Sequence, residues 1–148
     1  MRTLAIDLGS KRIGLAMSDE GGRFATPFER VEVNGTEQGL SPIAAIVKKE
    51  GVERVVVGLP LNMDDSIGPQ AKAAVAWGDR LRSMTGVDVL YVDERLSSFD
   101  AEQKLIEAKR QGAKITRKDR KQALDALAAA LFLQAFLDGQ LQAIEPRC

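Results

Sequence analysis

Histidine is absent from this sequence of 148 residues, and its one cysteine is Cys148. Without histidine there is no Ser-His-Asp or Cys-His catalysis, no imidazole general base and none of the common zinc sites. A lone cysteine allows neither an internal disulfide nor a cysteine zinc cluster. Carboxylates, lysines and hydroxyls are left to carry any chemistry. Long apolar runs are also missing. The longest uncharged helical stretch, Ala126 to Leu137, falls far short of the roughly 20 residues needed to span a membrane. Asp7 interrupts the opening apolar run, which argues against a secretory signal. The expectation is a soluble cytoplasmic protein with no membrane partner. With 45% apolar and 28% charged residues, residues 1–148 are expected to form a single domain with a proper core.

An excess of either charge is lacking too, since 21 basic residues balance 21 acidic ones. The distribution is nevertheless uneven. Lys109 to Lys121, "KRQGAKITRKDRK", holds seven basic residues against Asp119 alone, and the rest of the chain is acidic. Such a segment is either a solvated surface or a phosphate-contacting patch, and composition does not separate the two.

Hydrophobic patterning predicts strands over Thr3 to Leu8 and Arg12 to Ser18, joined by a tight turn at Gly9 to Lys11, with a third strand over Phe24 to Val33. "SPIAAIVKKEG" reads as a short helix with Ser41 as cap and Pro42 at its first position. Ile43, Ile46 and Val47 share one face, and Gly51 ends it. "RVVVGLP" is a continuous apolar run that suits a parallel strand buried on both faces. A loop from Leu61 to Gly68 leads into a helix from about Pro69. Its inner face is expected to carry Ala73, Trp77, Leu81 and Met84, with Gly86 as the stop. "VDVLYVDE" is the last strand. Ser97 with Asp100 signals a helix through Lys109, and Thr116 with Asp119 a longer one to about Leu137. Hairpin-linked strands followed by alternating helix and strand predict an α/β fold, a mixed five-stranded sheet flanked by helices.

Three acids stand out against this pattern. Asp7 falls near the end of a central strand, where an isolated carboxylate costs several kcal/mol unless it is hydrated, paired or bound to a cation. Glu94 ends the last strand on the side of Leu90 and Val92, while Asp93 points the other way. Asp125 is the only charge in "QALDALAAALFL", and Ala128 and Ala129 one turn on leave room for close approach. Each has an ordinary structural account alone: Asp7 as a turn cap, Glu94 paired with Arg95 or Arg12, Asp125 paired with Lys121. Together they point to a common site. Carboxylates gathered from separate elements hold Mg²⁺ or Mn²⁺, which prefer oxygen donors. Two such ions about 4 Å apart can activate a water and stabilise the leaving oxygen in phosphodiester cleavage.

The motifs "DLGSKRIGLAMSD", "VVVGLPLNMDDSIGP", "VDERLSS" and "DALAAALFLQ" occur in the order and at the separations of the YqgF family, which this chain resembles over nearly its whole length. That family is RNase H-like and is described as pre-16S rRNA nucleases and, earlier, as Holliday-junction resolvases. The resemblance implies an RNase H-like fold, with Asp7, Glu94 and Asp125 matching the family's acidic positions; the expectation is that these three are catalytic and hold the metal ions. Arg12 matches the arginine of its D-x-G-x-x-R-x-G signature, and Gly9 and Gly14 match the glycines. Two departures are visible: Asp65 stands where a glycine is usual, and Ser97 replaces a common threonine.

The combined expectation is a Mg²⁺- or Mn²⁺-dependent nuclease acting in 5′-end maturation of pre-16S rRNA, a monomer or weak dimer that prefers RNA to junction DNA. Arg12 and the basic residues Lys109, Arg110, Lys114, Arg117, Lys118 and Lys121 are expected to contact phosphates, which positions a nucleic acid without reading its sequence. The alternatives are a Holliday-junction resolvase-like DNA endonuclease and a nucleic-acid-binding module without turnover. Sugar and acetate kinases share such a sheet, but they enclose a nucleotide between two domains and this length supplies one.

Overall fold

A computed structural model describes residues 1–60, 68–93, 117–141 and 143–144, with side chains in the last helix from Leu127 onward. Five strands form one sheet: β1 (Thr3–Asp7), β2 (Arg12–Ser18), β3 (Ala25–Glu32), β4 (Arg54–Leu59) and β5 (Asp88–Asp93), in the order β3-β2-β1-β4-β5. β1, β2 and β3 pair antiparallel as a meander, while β4 and β5 add to β1 in parallel. This is the mixed sheet expected. The parallel half is buried on both faces, which is why Val55, Val56 and Val57 are consecutive and fully buried.

Helices α1 (Leu40–Lys49) and α2 (Pro69–Thr85) cover one face. There Leu4, Ile6, Ile13, Leu15, Val55 and Val57 meet Ile43, Val47, Trp77 and Leu81. Helix α3 (Arg117–Leu137) covers the other, where Ala129, Ala130, Phe132 and Leu133 meet Ala5, Ala16, Val56 and Val92. Alanines on both sides bring α3 close to the sheet. No described helix is long and apolar enough to cross a membrane.

Two local expectations are corrected. Ser41 is not the cap of α1: a 3-10 turn over Thr36–Gly39 runs straight into the helix, Gly39 takes the cap position, and Ser41 is exposed. Pro42 therefore falls within the first turn, where its missing N–H costs no hydrogen bond. On α2 the inner face is Ala71, Ala74, Trp77, Gly78 and Leu81, while Ala73 and Met84 are exposed. The cause is Gly78, which lets α2 press onto Tyr91 of β5 and so turns the helix. Gly86 does end α2, in the left-handed conformation that favours glycine. The loop over 61–67 and the helix expected through Lys109 lie outside the described residues.

Candidate active site

β1, β4 and β5 run parallel, so their carboxyl ends share one edge of the sheet. The antiparallel meander places the start of β2 and the end of β3 at that same edge. Asp7 is the last residue of β1 and is half-buried. Strand alternation puts it with Thr3 and Ala5, on the face that α3 covers. Its registered partner on β2 is Gly14, which presents no side chain, so the carboxylate stands over a floor of small residues. Arg12 opens β2 two residues nearer the edge, on the same face, opposite Glu32. Asp7, Arg12 and Asp93 are each engaged by a polar or electrostatic partner.

The turn between Asp7 and Arg12 is tightly built. A Cβ on Gly9 would run into the carbonyl oxygen of Arg12. Val33 N–H donates to the Lys11 carbonyl at 2.9 Å and Gly35 N–H to that of Ser10 at 2.8 Å, tying the chain after β3 to this turn. A cleft of about 300 Å³ opens between the turn and the start of α2, bordered by Leu8, Ser10, Thr36 and Gln70, and Asp7 is not part of its lining.

The direction of α3 follows from its far end. Gln134 accepts a hydrogen bond from Ala25 N–H at 2.8 Å and donates to the Arg23 carbonyl at 2.9 Å. The guanidinium of Arg54, at the start of β4, lies 4.9 Å from the centre of the Phe136 ring. Ala25 and Arg54 both belong to the edge opposite Asp7, so the N-terminal half of α3 runs toward the Asp7 edge. Ala5 and Ala129 meet in the core. From there Asp7 is two strand residues along, roughly 7 Å, and the backbone of Asp125 is four helical residues along, roughly 6 Å. Both positions therefore lie toward the carboxyl edge of the sheet from the Ala5 and Ala129 cluster.

Asp125 lies within α3, as do Arg117, Lys118 and Lys121. Glu94 is outside the described residues, one position past the end of β5, and so are Lys109, Arg110 and Lys114. Among the described residues no three histidine, cysteine or acidic side chains converge in a metal-binding group. Asp93 shares the strand side of Tyr91, turned away from α3 as expected.

One site-facing residue escapes the sequence. Between Leu15 and Ala16 the β2/β3 register shifts by one residue. Before the shift Ala25 and Pro27 face α3; after it Arg30 and Glu32 do, so that Asp7, Gly14 and Arg30 form one registered row across three strands. Alternation without the bulge would have turned Glu29 and Val31 to this face.

A family model, RuvX, described as Holliday junction resolvase, matches residues 1–139. A relative from Caldanaerobacter subterraneus, provisionally named pre-16S rRNA nuclease, is 41% identical over 140 residues, covering 95% of this chain and 98% of that one. A Bacillus cereus relative with the same name is 42% identical over 142 residues, covering 95% and 100%. Among solved structures, Thermus thermophilus RuvC in complex with a Holliday junction substrate aligns with a TM-score of 0.59 at 17% identity, over 97% of this chain and all of that one. The Fowlpox virus resolvase, solved with Holliday junction DNA, gives 0.56 at 10% identity over 96% and 100%. These two similarities establish the shared RNase H-like resolvase fold. By the span of the family match and the identity of its relatives, the chain belongs to the RuvX family, also called YqgF.

Proposed function

We propose that this chain is a divalent-metal-dependent nuclease that hydrolyses phosphodiester bonds in precursor 16S ribosomal RNA. The observation that carries the reading is the half-buried carboxylate of Asp7 at the carboxyl edge of the sheet, on the face toward which the Asp125-bearing half of α3 runs. The names of the relatives supply the RNA. The donor set fits a hard cation: Asp7, Glu94 and Asp125 offer carboxylate oxygens, and Gly14 leaves space beside Asp7. Asp7, Glu94 and Asp125 would hold Mg²⁺ or Mn²⁺, which would supply Lewis-acid activation for hydrolysis.

The remaining work belongs to the chain. The sheet fixes Asp7 at its carboxyl edge, and Asp125 belongs to the half of α3 that runs toward that edge. Arg12 and the basic residues Lys109, Arg110, Lys114, Arg117, Lys118 and Lys121 hold phosphates and set the strand's register without reading bases. A cytoplasmic monomer or weak dimer with one acid cluster suits cutting a single flexible strand, and RNA is recognised chiefly in unpaired regions. Symmetric incision of a junction calls instead for two sites facing it together.

The test is cleavage of labelled single-stranded RNA, precursor 16S leader and four-way DNA junctions, with and without Mn²⁺, by the wild type and Asp7→Asn. Metal-dependent RNA cleavage lost in Asp7→Asn is the expected result. Paired junction incision faster than RNA cleavage, by a stable dimer, would install the resolvase reading. Binding without cleavage of any substrate would leave a non-catalytic module.

A further inference from the structure

We propose that Arg30 binds a backbone phosphate of the nucleic acid two or three nucleotides from the bond held at Asp7, a contact that rests on the nuclease reading above. The β-bulge between Leu15 and Ala16 is the device that creates it, since without that one extra residue position 30 would face α1 and α2. With it, Arg30 stands in register with Gly14 and, through Gly14, with Asp7. Nothing projects from Gly14 between the two side chains. Two strand spacings separate the backbones of Asp7 and Arg30, roughly 10 Å, and a stacked nucleic-acid strand advances about 3.4 Å per step.

The Arg30 side chain is held against the fold rather than extended into solvent, being only 11% exposed. Glu32, two residues on and on the same face, accepts a hydrogen bond from Nη2 at 2.5 Å and is itself 73% exposed. Among the described residues, this is the hydrogen bond the guanidinium makes. One carboxylate oxygen thus orients a planar fork of five donors, whose other donors suit the paired oxygens of a phosphate. Glu32 is the exposed member of the pair, so an incoming phosphate can share the guanidinium with it or displace it. Arg30 is neither in the Lys109 to Lys121 run nor part of the Asp-to-Arg12 signature; it adds a phosphate contact on the β3 side of Asp7, away from β4 and β5.

Binding of unrelated single-stranded RNAs to the cleavage-deficient Asp7→Asn protein, measured across a salt series, tests this with Arg30→Gln, Arg30→Lys and Glu32→Gln added singly. Arg30→Gln is expected to weaken all the RNAs alike and flatten the salt dependence by about one unit of slope. Arg30→Lys should keep the slope while losing several-fold in affinity, and Glu32→Gln should tighten binding. In the active protein Arg30→Gln should raise KM more than it lowers kcat. A neutral methylphosphonate walked along the RNA should cancel the effect of Arg30→Gln at one linkage. Unchanged slope and affinity in a folded Arg30→Gln protein, or a loss equal at every methylphosphonate position, would reduce Arg30 to a cross-strand structural residue. Wild-type protein that neither binds nor cleaves RNA would overturn the nuclease reading itself, whereas RNA cleavage untouched by Arg30→Gln overturns only this contact.

Discussion

Gly9 and Arg12 are in backbone contact across the turn that joins the Asp7 strand to its neighbour, so close that a Cβ on residue 9 would overlap the Arg12 carbonyl oxygen. The obstacle is main chain and cannot swing aside. Gly9→Ala is therefore expected to destabilise the fold by about 1–3 kcal/mol, the ordinary cost of overpacking. Cleavage should fall further than the loss of folded protein explains, because the displaced turn carries Asp7 at one end and Arg12 at the other. Chemical denaturation alongside kcat/KM separates the two effects, and activity that merely tracks the folded fraction would make the turn structural only.

The acids lead to a sharper expectation. Asp7→Asn, Glu94→Gln and Asp125→Asn keep side-chain volume and remove a charge that the proposed site assigns to metal binding, so each should lower cleavage by orders of magnitude with the far-UV spectrum unchanged. Stability without added metal should hold or rise, since carboxylates gathered in the proposed site would repel one another. Full activity in any one variant would remove that residue from the site.

Asp7 is legible in the sequence because it interrupts an apolar segment, and burying a charge needs a reason that local patterning does not supply; the structure places it half-buried at the end of β1. The sheet is legible for the opposite reason: "RVVVGLP" is apolar throughout its core, as a strand buried on both faces requires, and the first hairpin alternates large and small side chains. Arg30 is hidden because its facing depends on a one-residue bulge, and a bulge reverses every side chain beyond it without altering the composition. The α2 face is misread for a related reason. Apolar periodicity weights Met84, whereas the helix is set by Gly78, a residue with no hydrophobic signal at all. The start of α1 is obscured because the 3-10 turn before it supplies helical backbone with no capping side chain.

Tyr91 gives a prediction in pH. Its hydroxyl donates to the Asp79 carboxylate at 2.8 Å and lies 3.0 Å from the Val75 carbonyl. Burial first, then the Asp79 carboxylate, holds the phenol well above the ordinary tyrosine range. The folded state therefore keeps a proton that the unfolded chain releases near pH 10, so stability should fall as pH rises past about 10. Tyr91 is the only tyrosine, and phenolate absorbance reports it alone. A Cβ on Gly78 would lie 2.5 Å from that hydroxyl. Gly78→Ala should displace it and bring the titration back toward the ordinary range. A wild-type midpoint at the free-tyrosine value would contradict the contact.

The basic run yields the last prediction. Arg117, Lys118 and Lys121 belong to the first turns of α3, and the Gln134 and Phe136 contacts fix the opposite end of that helix at the far edge of the sheet. Phosphates bound along Arg117 to Lys121 would thus lie on the approach to Asp7. Changing both members of a pair to glutamine, whether Lys109 and Arg110, Lys114 and Arg117, or Lys118 and Lys121, should weaken RNA binding irrespective of sequence. Each pair that contacts phosphate should reduce the salt slope by roughly two units. Arg30 lies on β3 and these residues lie elsewhere in the sequence, so combining a glutamine pair with Arg30→Gln should give additive losses, as independent phosphate contacts do. A salt slope unmoved by all three pairs would return the segment to an ordinary solvated surface and leave the phosphate contacts to Arg12 and Arg30.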